Sequence, residues 1–185
     1  MFYLLRAFYF MLTVMISNQL NTTEFNPYYK TYIDKTDQLN IVEGLTENLD
    51  SVVSFYQNIP REKHNYAYAD GKWTIKEILL HLIDTERIFS YRALRIARND
   101  KTPMVGFDQD EFVANSEIEN RSIESLIDEF KTVRQSTISL YKNFNSDILL
   151  RIGEASGSPI SVRAIGYIIT GHENHHNQII RERYL

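Results

Sequence analysis

The chain has 185 residues, long enough for one domain with a proper core. It contains no cysteine, which excludes disulfides, a cysteine nucleophile, thiolate zinc sites and iron–sulfur clusters. A formal charge of −4 with no basic stripe leaves no electrostatic footprint for nucleic acid, and 7 Gly and 4 Pro argue against an all-β chain with many tight turns.

Residues 1–16 are strongly apolar and broken only by Arg6 and Thr13. A signal peptide would show a cleavage site of small residues, and none follows. A membrane anchor needs about 20 apolar residues, and this run is shorter. An over-extended start is the third reading, since Met15 opens a plausible cytoplasmic N-terminus. Residues 1–24 are therefore set apart as an N-terminal extension, and 25–185 are taken as the domain.

Asn26-Pro27 places proline at a first helical position, opening a short stretch through Tyr28, Tyr29, Tyr32 and Ile33. Ile41, Leu45, Leu49, Val52 and Tyr56 then recur at helical spacing, with Val42 and Val53 widening the stripe, and Pro60 ends the run. Residues 61–72 are polar. Thr74 and Glu77 form a capping box that opens a second helix. That helix buries Ile75, Ile78, Leu79, Leu82, Ile88 and Phe89 and runs to about Arg98. His81 lies on the same face, with Asp84 and Thr85 as its neighbours one turn on.

Residues 99–121 form a connection too long to be structureless in a compact domain, so a lid or a short helical turn is expected. Ser122 caps a third helix carrying Ile123, Leu126, Ile127, Phe130, Val133, Thr137, Leu140 and Phe144. Residues 153–159 read as a turn or small hairpin. Ser161 caps a fourth helix with Ile165, Ile168, Ile169, His172, His176 and Ile179. Four long helices, near 41–58, 74–98, 122–145 and 161–183, give an all-α protein built as a four-helix bundle.

Three of the 5 histidines fall in Gly171-His172-Glu173-Asn174-His175-His176. His172 and His176 are four apart, so their rings share one helix face at roughly 6 Å along the axis. Two imidazoles at that spacing can hold one metal ion. A bundle core is where ligands from different helices meet, and His81 is the best-placed third histidine. Three imidazoles suit zinc, nickel or iron, with positions open for water or substrate. His175 points to a flank, and His64 lies in a polar connector and reads as solvated. Asp84, Glu173 and Gln178 are candidates to orient a ligand imidazole or relay a proton. His172 to His176 also matches H-E-x-x-H, the zinc-peptidase pattern with Glu173 as general base. Such peptidases take a third ligand from downstream, where this sequence offers only Glu182 on the same helix.

Gly71-Lys72-Trp73-Thr74-Ile75-Lys76-Glu77-Ile78-Leu79-Leu80-His81-Leu82-Ile83-Asp84-Thr85-Glu86-Arg87, followed by Gly171 to His176, resembles the DinB-like superfamily in its YfiT-type branch. The resemblance covers about residues 26–183 and includes the loop from Gly106 to Phe112. It implies an up-down-down-up bundle with a divalent metal on His81, His172 and His176, and with His175 beside the site as a non-ligand. It also implies a cytoplasmic protein acting on small molecules, as a transferase of low-molecular-weight thiols to electrophiles or as a hydrolase. No nucleic acid and no stable membrane association are expected as partners, and a homodimer is left open. A non-catalytic helical interaction protein is the remaining alternative.

Overall fold

The computed structural model describes residues 20–36 and 40–185. Among them, four long helices pack as a bundle: α2 (Ile41–Gln57), α3 (Ile75–Ala97), α5 (Ile123–Tyr141) and α7 (Val162–Arg183). The others are short: α1 (Lys30–Ile33), α4 (Gln109–Ala114) and α6 (Ser146–Leu149). The strands β1 (Ile152–Ala155) and β2 (Ser158–Ser161) form one antiparallel hairpin just ahead of α7. The expected helix positions hold to within a few residues. The 99–121 connection contains α4 and a single 3-10 turn at Ile118–Asn120.

Each long helix starts where a side chain caps it. Asn40 accepts from the Glu43 amide, Ser122 from Ser125 and Ser161 from Ala164. At Thr74 both halves of the capping box are made, at 2.6 and 3.3 Å. These bonds satisfy amides that the first helical turn leaves without partners. The third helix ends at Tyr141, short of the expected 145, because Asn145 caps α6 by accepting from Ile148.

Cross-helix contacts fix the directions. Lys76 reaches the Ile118 and Arg121 carbonyls while Ser90 meets Thr137, so α3 and α5 run parallel. Ile41 packs at Gly166 and Asn48 bonds Glu173, so α2 and α7 also run parallel. Tyr184 donates to the Trp73 carbonyl at the opposite end of α7, so α3 and α7 are antiparallel. The order is up-down-down-up, with each consecutive pair of the first two and the last two helices on a diagonal.

Two apolar clusters fill the bundle ends. One gathers Leu45, Phe89, Ile96, Tyr141 and Ile165; the other Val52, Tyr56, Leu79, Leu126, Phe130 and Ile180. Between them lies a polar layer with one member from each long helix. Arg134 of α5 is fully buried and donates to both carboxylate oxygens of Glu86 at 2.9 Å. It also donates to Glu173 and to the Leu45 carbonyl. Asn48 of α2 donates to the second Glu173 oxygen at 3.0 Å.

The chain ahead of α2 is packed on the bundle from the start of the described residues. Leu20 and Tyr29 lie against the apolar cluster, so docking begins before residue 25. Glu24 accepts from the Ser161 hydroxyl at 2.8 Å and from Arg163. The expectations about residues 1–14 lie outside the described residues. No helix among those described is long and apolar enough to cross a membrane.

Replacing Arg134 by Met should strand two buried carboxylates and cost about 3–5 kcal/mol, read as a lowered urea midpoint. Glu24 supplies a pH test. Burial alone would raise its pKa, but Arg163, the Asn21 amide and the Ser161 hydroxyl together hold it below its ordinary value. A carboxylate depressed in the folded state adds stability above its unfolded pKa, and that stability is lost as pH falls through the folded one. Glu24→Gln should therefore destabilise the protein at pH 7, with the gap to wild type closing on acidification. Thermal melts from pH 7 down to pH 3 check the sign.

Candidate metal centre

His81 comes from α3, and His172 and His176 from one face of the antiparallel α7. Their Nε2 atoms converge. His81 Nε2 lies 3.1 Å from His172 Nε2, and His176 Nε2 lies 3.0 Å from the same atom. The two α7 rings are not stacked. Their centroids are 4.5 Å apart at an interplanar angle of 89°, because each ring turns its Nε2 inward.

An imidazole nitrogen carries either one N–H or one lone pair. His172 Nε2 can therefore serve only one of its two close neighbours by hydrogen bonding. A cation set among three lone pairs serves all of them. Nitrogens bound to one ion at about 2.0–2.1 Å lie about 2.8–3.4 Å apart in octahedral or tetrahedral arrangements, and the two separations fall at that scale. Burial keeps the rings in the form that offers a lone pair. It pushes His81 down to about 4 and His176 down to about 3, and His172 falls well below the ordinary value, with the neighbouring histidines adding to the effect. The donor set fits a divalent metal.

Flanking residues fix the ring planes. Trp73 lies 4.7 Å from the His81 ring and is nearly parallel to His176 at 6.5 Å. Tyr32 meets His172 edge-on at 5.0 Å. The Thr85 hydroxyl is 3.4 Å from His81 Nδ1. His175 stands on the flank against Tyr32, outside the converging set. His64 is half-buried rather than simply solvated, with Nε2 3.1 Å from the Ile59 carbonyl.

The three candidates for supporting roles lie elsewhere. Asp84 sits beside Arg87, at 3.6 Å, in a surface chain that continues to Glu129 and Arg121. Burial raises its pKa against the pull of Arg87. Gln178 is exposed and bonds Lys35 and Glu182. Glu173 is buried, and both its oxygens are taken up by Arg134 and Asn48. Thr85, one residue beyond Asp84, is the side chain next to His81.

A cavity of about 160 Å³ opens beside the histidines. His81 and His172 are among its lining residues. Tyr29, Tyr32, Phe89 and Phe107 line its sides. The tyrosines belong to the segment through α1, which sequence reading treated only as a short helical stretch.

A family model described as the DinB superfamily matches residues 45–180. A protein named "Putative metal-dependent hydrolase" from Oceanobacillus iheyensis is 24% identical over 152 residues, covering 81% of this chain and 85% of that protein. The fold matches the solved structure of YfiT from Bacillus subtilis with a TM-score of 0.65, at 14% identity, over 89% of this chain and 90% of that one. YfiT is described there as "a probable metal-dependent hydrolase with an unusual four-helix bundle topology".

Tyr32 reaches its place because α1 lies directly on α7 at Gly171. A Cβ at Gly171 would overlap the Tyr32 carbonyl oxygen, and a backbone atom cannot swing aside. Alanine normally gains about 1 kcal/mol over glycine inside a helix. Here Gly171→Ala should instead lower the melting temperature, because an overpacked contact costs about 1–3 kcal/mol and adds the lost docking of α1. Amide exchange in residues 30–36 should rise while that of α5 stays unchanged.

Proposed function

This chain belongs to the DinB superfamily, and we propose that it is a metal-dependent enzyme in which His81, His172 and His176 hold one divalent cation of zinc, nickel or iron. The observation that carries this reading is the convergence of three imidazole nitrogens, with His81 and His172 buried, His176 half-buried, and the other two Nε2 atoms within 3.1 Å of His172 Nε2. The descriptions of both relatives invoke metal dependence, which supports the same assignment. When bound, such a cation lowers the pKa of a coordinated water or thiol and supplies a nucleophile at neutral pH.

The chain's own residues do the rest. The Thr85 hydroxyl beside His81 Nδ1 can accept from Nδ1–H, the arrangement that leaves the Nε2 lone pair inward. Trp73 and Tyr32 keep the ring planes from turning and exclude water from two sides. The cavity is large enough to bring a small molecule against His81 and His172, which line it. We take the reaction to be attack on such a molecule by water, as in a hydrolase, or by a low-molecular-weight thiol, as in a transferase. A peptidase needs Glu173 as a free general base, and Glu173 is committed to Arg134 and Asn48.

Metal stoichiometry across the histidine variants tests the site. After dialysis against buffer with trace zinc, wild type should retain about one equivalent by elemental analysis. His81→Ala, His172→Ala and His176→Ala should each lose most of it, and His175→Ala should keep it. Full retention in His81→Ala would falsify the two-helix site. Wild type should then be assayed for ester hydrolysis, thiol conjugation and peptide cleavage, with the last expected to be absent.

A further inference from the structure

Arg92 is the feature of the cavity that metal binding leaves unexplained. It lies on α3 at the far end of the cavity from the histidines, on the face that also carries His81, Thr85 and Phe89. Eleven residues separate it from His81, roughly 16 Å along the helix axis. Both side chains lean toward the helix N-terminus, so the spacing between the guanidinium and the His81 ring is set mainly by those roughly three turns of helix. Arg92 is only 2% exposed. Its Nη2 donates to the Val105 carbonyl at 2.9 Å and to the Ser156 hydroxyl at 3.1 Å.

No Asp or Glu among the described residues forms an ion pair with Arg92. That separates it from Arg134, which meets two carboxylates in the same bundle. A buried cation without a counter-charge is costly, and a bound anion would relieve the cost. The Tyr29 hydroxyl lies beside the guanidinium, and burial holds it protonated, ready to donate. A planar guanidinium fits a carboxylate in two-point fashion. One positive charge balances one carboxylate, and no lysine lines the cavity to match a phosphate dianion.

Tyr29, Tyr32, Phe89, Phe107 and Ile168 give the cavity a largely aromatic and aliphatic lining, interrupted by Thr85, Gln109 and Ser156. An apolar cavity of about 150 Å³ takes a benzene ring. We propose that this cavity binds a small carboxylic acid, with its carboxylate on Arg92, its apolar body between the aromatic walls, and its other end presented to His81 and His172. The proposal names the substrate class for the metal-dependent reaction above and rests on that reading only for the reacting end.

Titration calorimetry on the full chain tests it, with 3-phenylpropanoate as probe and the neutral 3-phenylpropanamide as its control. Both probes are titrated into metal-stripped and zinc-loaded protein. Wild type should prefer the carboxylate by about 30-fold in either state, the scale of a charge-assisted bond made out of water. Arg92→Met keeps the length and burial and should bring the preference within about 3-fold; Arg92→Lys should restore part of it. Wild type that binds both probes alike overturns the proposal without any variant needing to fold. So does failure of the carboxylate to bind below about 10 mM. If metal stoichiometry fails while the carboxylate preference stands in stripped protein, only the metal reading falls. If the preference fails while metal binds, only the role of Arg92 falls.

Discussion

The pairing of Arg134 with Glu86 and Glu173 is the constraint on which the bundle's register depends. All three side chains are buried, and Arg134 also takes the Leu45 carbonyl. Asn48 completes the layer, so α2, α3, α5 and α7 each contribute a group. Buried ion pairs add little net stability, because desolvation offsets most of their attraction. Their effect is on alternatives. Apolar faces can slide by a helical turn at modest cost, but a slide here would leave a charge without its partner in a dry interior. Glu173 follows His172 directly, and Glu86 is five residues beyond His81. The register that satisfies the charges is thus the one that brings the three Nε2 atoms together.

The polar layer also explains how a cluster of imidazoles survives inside the bundle. The histidines sit at the same level as the ion pairs, between the two apolar clusters, where the interior is already polar. Their own environment is different. Aromatic rings border them, and no carboxylate bonds them among the described residues. Adjacent positions on one helix, His172 and Glu173, therefore face opposite surroundings, about 100° apart around the axis. One turns to the aromatic cavity and the other to the charge network. This division takes Glu173 out of the site despite the H-E-x-x-H spelling.

Much of this was legible in the sequence. The helices follow from periodic apolar residues, and Thr74, Ser122 and Ser161 mark their starts by chemistry that acts within one turn. His172 and His176 share a face through spacing alone. The Arg134 network was not seen, although it left a trace. Arg134 falls on the stripe four after Phe130, Glu86 four after Leu82, and Asn48 three after Leu45. A polar residue on an apolar stripe signals burial but does not name its partner, since the partners are 39 to 125 positions away in the chain. Asp84 and Thr85 both neighbour His81 on the helix, and spacing alone does not separate them. Only the placement of Arg87 and Glu129 decides that Asp84 turns outward. The tyrosines of the cavity wall carried no signal, because a tyrosine-rich turn looks the same on a surface as over a site.

That wall has a consequence for how the protein could change. Tyr29 and Tyr32 belong to the segment ahead of α2, whereas the family model spans 45–180 and contains all three converging histidines. The segment is held to the bundle at several points: Glu24 on the α7 cap and on Arg163, Phe25 and Ile33 buried in the apolar cluster, and α1 against Gly171. Reactive groups and part of the recognition surface are thus inherited on separate stretches of chain. Substitutions at Tyr29 and Tyr32 would reshape what the cavity admits while leaving the contacts among α2, α3, α5 and α7 themselves in place. The helices would conserve the chemistry, and the leading segment would be free to diversify the choice of substrate.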